Sequence, residues 1–161
     1  MSEYREETPV EDTVAVDCLH DTSYYKLTMA AIRGVPDAKD VQWLESEHTA
    51  VINWRGDEVR RTRGGCMRFA DDLEWITRDT TSLADALHWL GKAQQVTTHF
   101  GIPYFAKAIA DKKVFLDPTM SDDFTKFFKL DVDLPGDVVI EGFLIQRTGD
   151  RTRLIFKQYR E

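Results

Sequence analysis

The sequence VQWLESEHTAVINWRGDEVRRTR, residues 41–63, alternates side chains with the two-residue period of β-strands. Its β-branched and aromatic residues favour strands at 40–47 and 49–55, and residues 55–58 have the composition of a turn. The chain then returns over residues 59–63, and Gly64-Gly65 ends the segment. These features predict a three-stranded antiparallel meander across residues 41–63.

A second pair of strands is predicted near the C-terminal end. Residues 137–147 and 151–159 flank Thr148-Gly149-Asp150, which has the composition of a hairpin loop. The first arm is apolar on both faces, as is typical of a central strand covered on both sides. The second arm carries several basic residues and is expected nearer the sheet edge. The sequence therefore predicts a C-terminal hairpin at about residues 137–159.

Helical periodicity is confined to shorter stretches of the chain. An apolar stripe predicts helices at about residues 22–33 and 83–98, and Pro103 suits the first turn of a third. Ser121 is predicted to cap a fourth, short helix that carries Phe124, Phe127 and Phe128. Residues 66–79 have no single period, and a strand followed by a short helix is expected there.

The fold class that follows is α+β, with one antiparallel sheet packed against three to four helices. Residues 1–11 are acidic and aperiodic, which predicts a disordered tail. Residues 12–161 are expected to form a single domain, because about 100–200 residues is the usual domain length.

The composition is that of a globular protein: 161 residues, 42% hydrophobic, with no apolar run near the ~20 residues of a membrane span. The N-terminus is acidic where a leader would be basic and then apolar, so a cytoplasmic setting without membrane contact is expected. Cys18 and Cys66 are not arranged as a paired zinc knuckle, and both are expected to be reduced thiols.

The charge is unevenly distributed along the chain. Residues 1–50 hold 11 acids and 4 bases, a balance of −7, whereas residues 51–161 hold 17 of each. A surface of one sign accelerates encounter with a partner of the other sign. This favours a small acidic binding protein, an inhibitor, immunity or antitoxin-like factor, or chaperone, that docks on a basic protein. The partner-binding residues are predicted to be Asp37, Asp40, Glu45 and Glu47, with Tyr24 and Trp43 as candidate aromatic anchors.

An alternative function rests on five arginines within residues 55–68. Guanidinium groups suit phosphates and carboxylates, and a neighbouring indole can stack on a base. The alternative is an enzyme or sensor that binds a phosphorylated small molecule or a nucleotide, and nucleic acid is a partner only in this case. Its predicted site is Trp54, Arg60, Arg61 and Arg63, with Arg61 and Arg63 on one strand face and Arg60 on the other. A third interpretation is a solvated hairpin whose arginines pair with local acids.

No motif in the sequence names a catalytic activity. Cys18 and His20 share one face of a possible strand beside two aspartates, but adjacent residues seldom form a catalytic pair. The histidines have no metal-ligand spacing, and Gly64-Gly65 lacks the remainder of a phosphate-binding loop. No catalytic residue, metal or cofactor is therefore predicted, and a binding protein is favoured over an enzyme.

Overall fold

The computed structural model describes residues 23–64 and 69–160. The predicted tail, the boundary at residue 12, and the Cys18 and His20 pair lie outside these residues. The described part has three α-helices, α1 Ser23–Arg33, α2 Ala86–His99 and α3 Pro103–Ala110, and 3-10 turns at Glu45–Glu47 and Pro118–Met120. The strands are β1 Ala38–Leu44, β2 Thr49–Trp54, β3 Asp57–Gly64, β4 Phe69–Thr77, β5 Val114–Leu116, β6 Thr125–Leu130, β7 Val138–Val139, β8 Phe143–Thr148, β9 Arg151–Phe156 and β10 Tyr159–Arg160.

All ten of these strands belong to one antiparallel sheet, so the α+β class is confirmed in this form. The main path is β1-β2-β3-β4-β9-β8-β6-β5, and β10 pairs with both β4 and β7. Strand β4 is long enough to hold two partners: its residues 73–77 pair with β9, and its residues 69–70 pair with β10. This forked pairing creates a concave corner of the sheet around β10.

The strands β1, β2 and β3 follow one another as antiparallel neighbours. Arg55 and Gly56 join β2 to β3 with φ values of 57° and 87°, the conformation that suits a two-residue hairpin turn. The pairing of β1 with β2 shifts between Lys39 and Gln42, and Asp40 has φ 52° at this irregularity. Such a bulge makes an edge strand a poorer template for unwanted pairing.

Three expectations for individual segments are wrong. Residues 125–130 form strand β6 in place of the helix expected after Ser121, whose Oγ instead accepts the N–H of Phe127 at 3.0 Å. Residues 69–77 are continuous strand, with no short helix. The second C-terminal arm, β9, is a central strand between β4 and β8, and its Arg153 is accommodated by an ion pair with Glu74.

The core lies between one face of the sheet and helices α2 and α3, and this face is called the inner face below. The aromatic ring of Phe105 on α3 contacts the rings of Phe143 and Phe156 at 6.2 and 5.3 Å. Trp89 and Val96 of α2 are fully buried in the same cluster. Burial of such side chains stabilises a fold by about 1.5–3 kcal/mol each. The opposite, outer face carries most of the sheet's half-buried charged residues.

No helix within residues 23–64 and 69–160 is long and apolar enough to cross a bilayer.

Candidate functional site

The structure separates the arginines that the sequence places together. Arg61 and Arg63 lie on the inner face of β3 and Arg60 lies on the outer face, as the alternation of a strand requires. Arg55 lies in the turn at the other end of β3, where it forms an ion pair with Asp37 at 3.3 Å. Arg68 falls outside the described residues. The predicted anion site is therefore divided between two faces of the sheet.

Trp54, the predicted stacking residue, is fully buried. Its indole Nε1 donates to the carbonyl of Pro36 at 3.1 Å, and its ring contacts Trp75 and Phe100 at 5.2 Å each. The ring therefore has no free face for a base. The indole ring, which suggested a stacking surface for a ligand, packs in the hydrophobic core instead.

On the outer face, the arginines are matched by acids. Arg60 donates to Glu58 at 2.6 Å, and this bond raises the pKa of Arg60. Arg153 forms an ion pair with Glu74, which stands opposite Arg60 on the neighbouring strand. Arg60 and Arg153 thus have local partners and little demand for an added anion.

On the inner face, Arg61 is only 4% exposed and its guanidinium pairs with Asp71. Its Nη2 donates to Asp71 Oδ2 at 3.2 Å and lies 3.0 Å from Oδ1. Burial lowers the pKa of Arg61 to about 10, an effect that Asp71 opposes and Arg63 adds to, so the side chain stays charged at neutral pH. Its Nη1 has no hydrogen-bond partner. Asp71 is therefore ion-paired with a buried cation, while its Oδ1 accepts no hydrogen bond from the described residues.

Arg63 is the second guanidinium beside this carboxylate, directly across the β3 and β4 pair from Asp71. Its Nε lies 3.6 Å from Asp71 Oδ1, within ion-pair range but too far for a hydrogen bond, and this buried atom has no hydrogen-bond partner among the described residues. Two arginines thus share one carboxylate, which leaves a net positive charge. A buried donor without an acceptor costs about 1–3 kcal/mol, so this arrangement favours an added acceptor.

A pocket of about 270 Å³ opens beside this group, and we call it the arginine pocket. Asp71 is the one acid among its lining residues, and it faces the cations Arg63 and Arg160 there. Arg61 pairs with Asp71 but is not among the described residues that line the pocket. The lining residues are Arg63, Asp71, Val138, Gln158, Tyr159 and Arg160. Its lining residues include one unpaired donor, Arg63 Nε, and two unpaired acceptors, Asp71 Oδ1 and Gln158 Oε1. The two guanidinium groups against one carboxylate supply the chemistry that binds carboxylate or phosphate.

Sequence reasoning missed Asp71 and Arg160 as members of this group. Arg160 reaches it only because β10 pairs with the first residues of β4, and Asp71 only because the β3 and β4 register places it opposite Arg63. The one available signal was that Arg61 and Arg63 share one face of a strand and that two aspartates follow in the next segment. An antiparallel partner strand can place such an aspartate opposite the arginines.

The four predicted partner-binding acids are exposed around β1, at the edge of the sheet. Asp37 precedes the strand, Asp40 occupies its bulge, and Glu45 and Glu47 lie in the turn that follows. Glu45 accepts a hydrogen bond from the indole of Trp43. The Trp43 ring, half-buried, contacts Tyr25 at 5.3 Å. The acids and an aromatic pair therefore occupy the same edge.

A carboxylate and imidazole pair, Asp79 and His88, joins the loop after β4 to helix α2. The His88 Nε2 and Asp79 Oδ2 atoms are 2.7 Å apart. Burial acts to raise the pKa of Asp79, but hydrogen bonds from Thr81 and His88 outweigh it and hold that pKa well below its ordinary value. The Thr152 hydroxyl donates to the Asp79 carbonyl at 2.7 Å. These bonds all tie one loop to the sheet and helix, so we assign the pair a structural role.

Across residues 23–64 and 69–160, no group of three or more His, Cys, Asp or Glu side chains is arranged to hold a metal ion.

Comparison with known proteins finds no matching family model, no curated relative and no similar solved structure.

Proposed function

We propose that this protein binds a small anionic ligand in the arginine pocket, as a sensor or enzyme for a phosphorylated compound. One observation carries the proposal: Arg63 and Arg160 line a pocket in which the only acid among the described residues, Asp71, is already paired with the buried Arg61. The cations that face the pocket therefore exceed the charge available to neutralise them.

The chemistry of the site favours recognition of a phosphate or carboxylate group over recognition of a nucleotide base. Arginine forks bind such groups through paired N–H donors, and burial strengthens charge-assisted hydrogen bonds. Because Trp54 is enclosed by the core, it adds no stacking surface for a nucleotide base. We therefore propose recognition of the anionic group itself, with inorganic pyrophosphate as the simplest probe.

The test compares two arginines on opposite faces of β3. Pyrophosphate is titrated by calorimetry at low ionic strength into the wild type, Arg63→Ala and Arg60→Ala. We expect wild-type binding to be saturable, at least tenfold weaker in Arg63→Ala, and unchanged in Arg60→Ala, which removes the same charge from the other face. Equal losses in both variants would indicate a diffuse charge effect and would contradict a built site, as would absence of binding to the wild type.

A second candidate function is docking on a basic protein through the edge around β1. The observation that favours it is the exposure of Asp37, Asp40, Glu45 and Glu47 beside Trp43 and Tyr25, since binding interfaces combine charged rims with aromatic centres. An inhibitor, immunity or antitoxin-like factor, or chaperone of the cytoplasm would work in this way. Oppositely charged surfaces would set its association rate.

Charge neutralisation tests this second candidate. A partner is first isolated by affinity pull-down from the native source and identified by mass spectrometry. Changing Asp37 and Asp40 to Asn together with Glu45 and Glu47 to Gln should lower the association rate and its salt dependence. The matched control changes four exposed acids elsewhere to Asn: Asp123, Asp131, Asp133 and Asp137. Equal rates for both quadruple variants would contradict docking through the β1 edge.

A further inference from the structure

The outer face of the sheet contains a larger cleft, which adjoins the arginine pocket at Gln158 and Tyr159. It has a volume of about 400 Å³, within the range of about 300–1,000 Å³ typical of small-molecule sites. A row of apolar side chains crosses its floor, because Phe127, Leu144 and Ile155 stand opposite one another on β6, β8 and β9. Tyr159 and Ala70, paired where β10 meets β4, form one wall.

The polar groups of this cleft include a carboxylate with no side-chain partner. Asp72 is half-buried, and no cationic side chain of the described residues lies within ion-pair distance of it. Burial raises the pKa of Asp72 to about 6, although the charge of Lys157 partly offsets this. An ionised carboxylate in such surroundings is stabilised by a cation that brings its own apolar body.

A second acceptor lies where the cleft adjoins the arginine pocket, which Gln158 also lines. Gln158 is one of its lining residues, and its buried Oε1 has no hydrogen-bond partner. The charged residues of the lining are Asp72, Glu141 and Lys157, two carboxylates against one ammonium. Among the described lining residues, the cleft therefore has a small net negative charge, whereas the arginine pocket has a net positive one.

We propose that this cleft binds a small organic cation, an aromatic or aliphatic amine whose ammonium group pairs with Asp72. The apolar body of the ligand would lie over Leu144 and Ile155, and Phe127 and Tyr159 would contribute cation–π attraction. A neutral apolar ligand would leave the carboxylate unpaired, and an anion would be repelled by it. This proposal does not rest on anion binding in the arginine pocket, with which the cleft shares only Gln158 and Tyr159 among the described lining residues.

The test uses three probes with the same phenyl body and different charge: 2-phenylethylamine, 2-phenylethanol and 3-phenylpropanoate. Amide NMR shifts of the full chain are followed in titrations at pH 7.5. We expect the amine to bind saturably, with shifts at residues 142–144 and 155–157, which do not line the arginine pocket, and more tightly than either other probe. The anion, if it binds, should shift Arg63 and its neighbours instead, which separates this site from the arginine pocket.

Two variants and one control complete the design. Asp72→Asn removes the charge but keeps the shape, and should weaken amine binding at least tenfold. Leu144→Trp should fill the cleft and abolish it. Asp123→Asn removes an exposed charge elsewhere and should change nothing. Failure of the amine to bind, equal affinity for all three probes, or full binding by Asp72→Asn would each overturn the proposal.

Discussion

Arg60 and Arg61 are neighbours on one strand, yet the two faces of β3 give them opposite surroundings. Arg60 lies among matched charges, with Glu58 bonded to it and the Glu74 and Arg153 pair beside it. Arg61 is buried against Asp71, and its companion Arg63 lacks an acceptor for its Nε. The comparison shows that a dense run of arginines is not itself a binding site. The inner face differs from the outer face because burial leaves arginine donors there without hydrogen-bond acceptors among the described residues.

The same division applies to the neighbouring acids of β4. Asp71 lies on the inner face and pairs with Arg61, whereas Asp72 lies on the outer face without an ion-pair partner. Adjacent residues of like charge thus mark a positive pocket on one face and a negative cleft on the other. The alternation of side chains across a strand is sufficient to separate the two.

The largest expected effect comes from breaking the inner-face pair. Asp71→Ala leaves Arg61 and Arg63 buried without their shared carboxylate, so the free energy of unfolding should fall by about 3–5 kcal/mol. Denaturant unfolding of the variant and the wild type measures this difference. Because the variant pocket is more positive, added pyrophosphate should restore more stability to it than to the wild type. If the free energy of unfolding fell by less than the loss of an exposed ion pair costs, the buried pairing of Arg61 with Asp71 would be contradicted.

A smaller effect of opposite sign is expected from Asp72→Asn. The pKa of Asp72 rises from 3.8 to about 6 on folding, so its ionisation opposes the fold above pH 6, and this penalty disappears below about pH 4. The full shift corresponds to about 3 kcal/mol, which solvent screening reduces to the order of 1 kcal/mol. The variant should therefore be more stable than the wild type at pH 7 and equal to it at pH 3.5. Unfolding curves at the two pH values test this, and a gain independent of pH would contradict it.

The smallest effect is expected from Arg60→Ala. Its pair with Glu58 is partly exposed, and such pairs contribute about 0.2–1 kcal/mol. Unfolding in low and high salt measures the change, which should shrink as ionic strength rises. A loss as large as that of Asp71→Ala would remove the distinction between the two faces.

Local patterns in the sequence predict much of the fold and less of the site. The period of residues 41–63 indicates strands, and it also places Arg61 and Arg63 on one face. It does not identify Asp71 as their partner, because strand register depends on contacts between distant segments. The phenylalanines at 124, 127 and 128 resemble a helical stripe, but pairing of residues 125–128 with β8 outweighs that local preference. Arg160 lines the arginine pocket, and Tyr159 lines both pockets, only because β10 pairs with the first residues of β4.

The most direct test of the account follows the arginine side chains themselves. The Nε–Hε resonances of Arg63, Arg160, Arg60 and Arg153 are recorded by NMR while pyrophosphate is added at constant ionic strength. We expect saturable shifts for Arg63 and Arg160, with Arg60 and Arg153 unchanged. Shifts of similar size on all four arginines, or none on Arg63, would contradict the assignment of an anion site to the inner face.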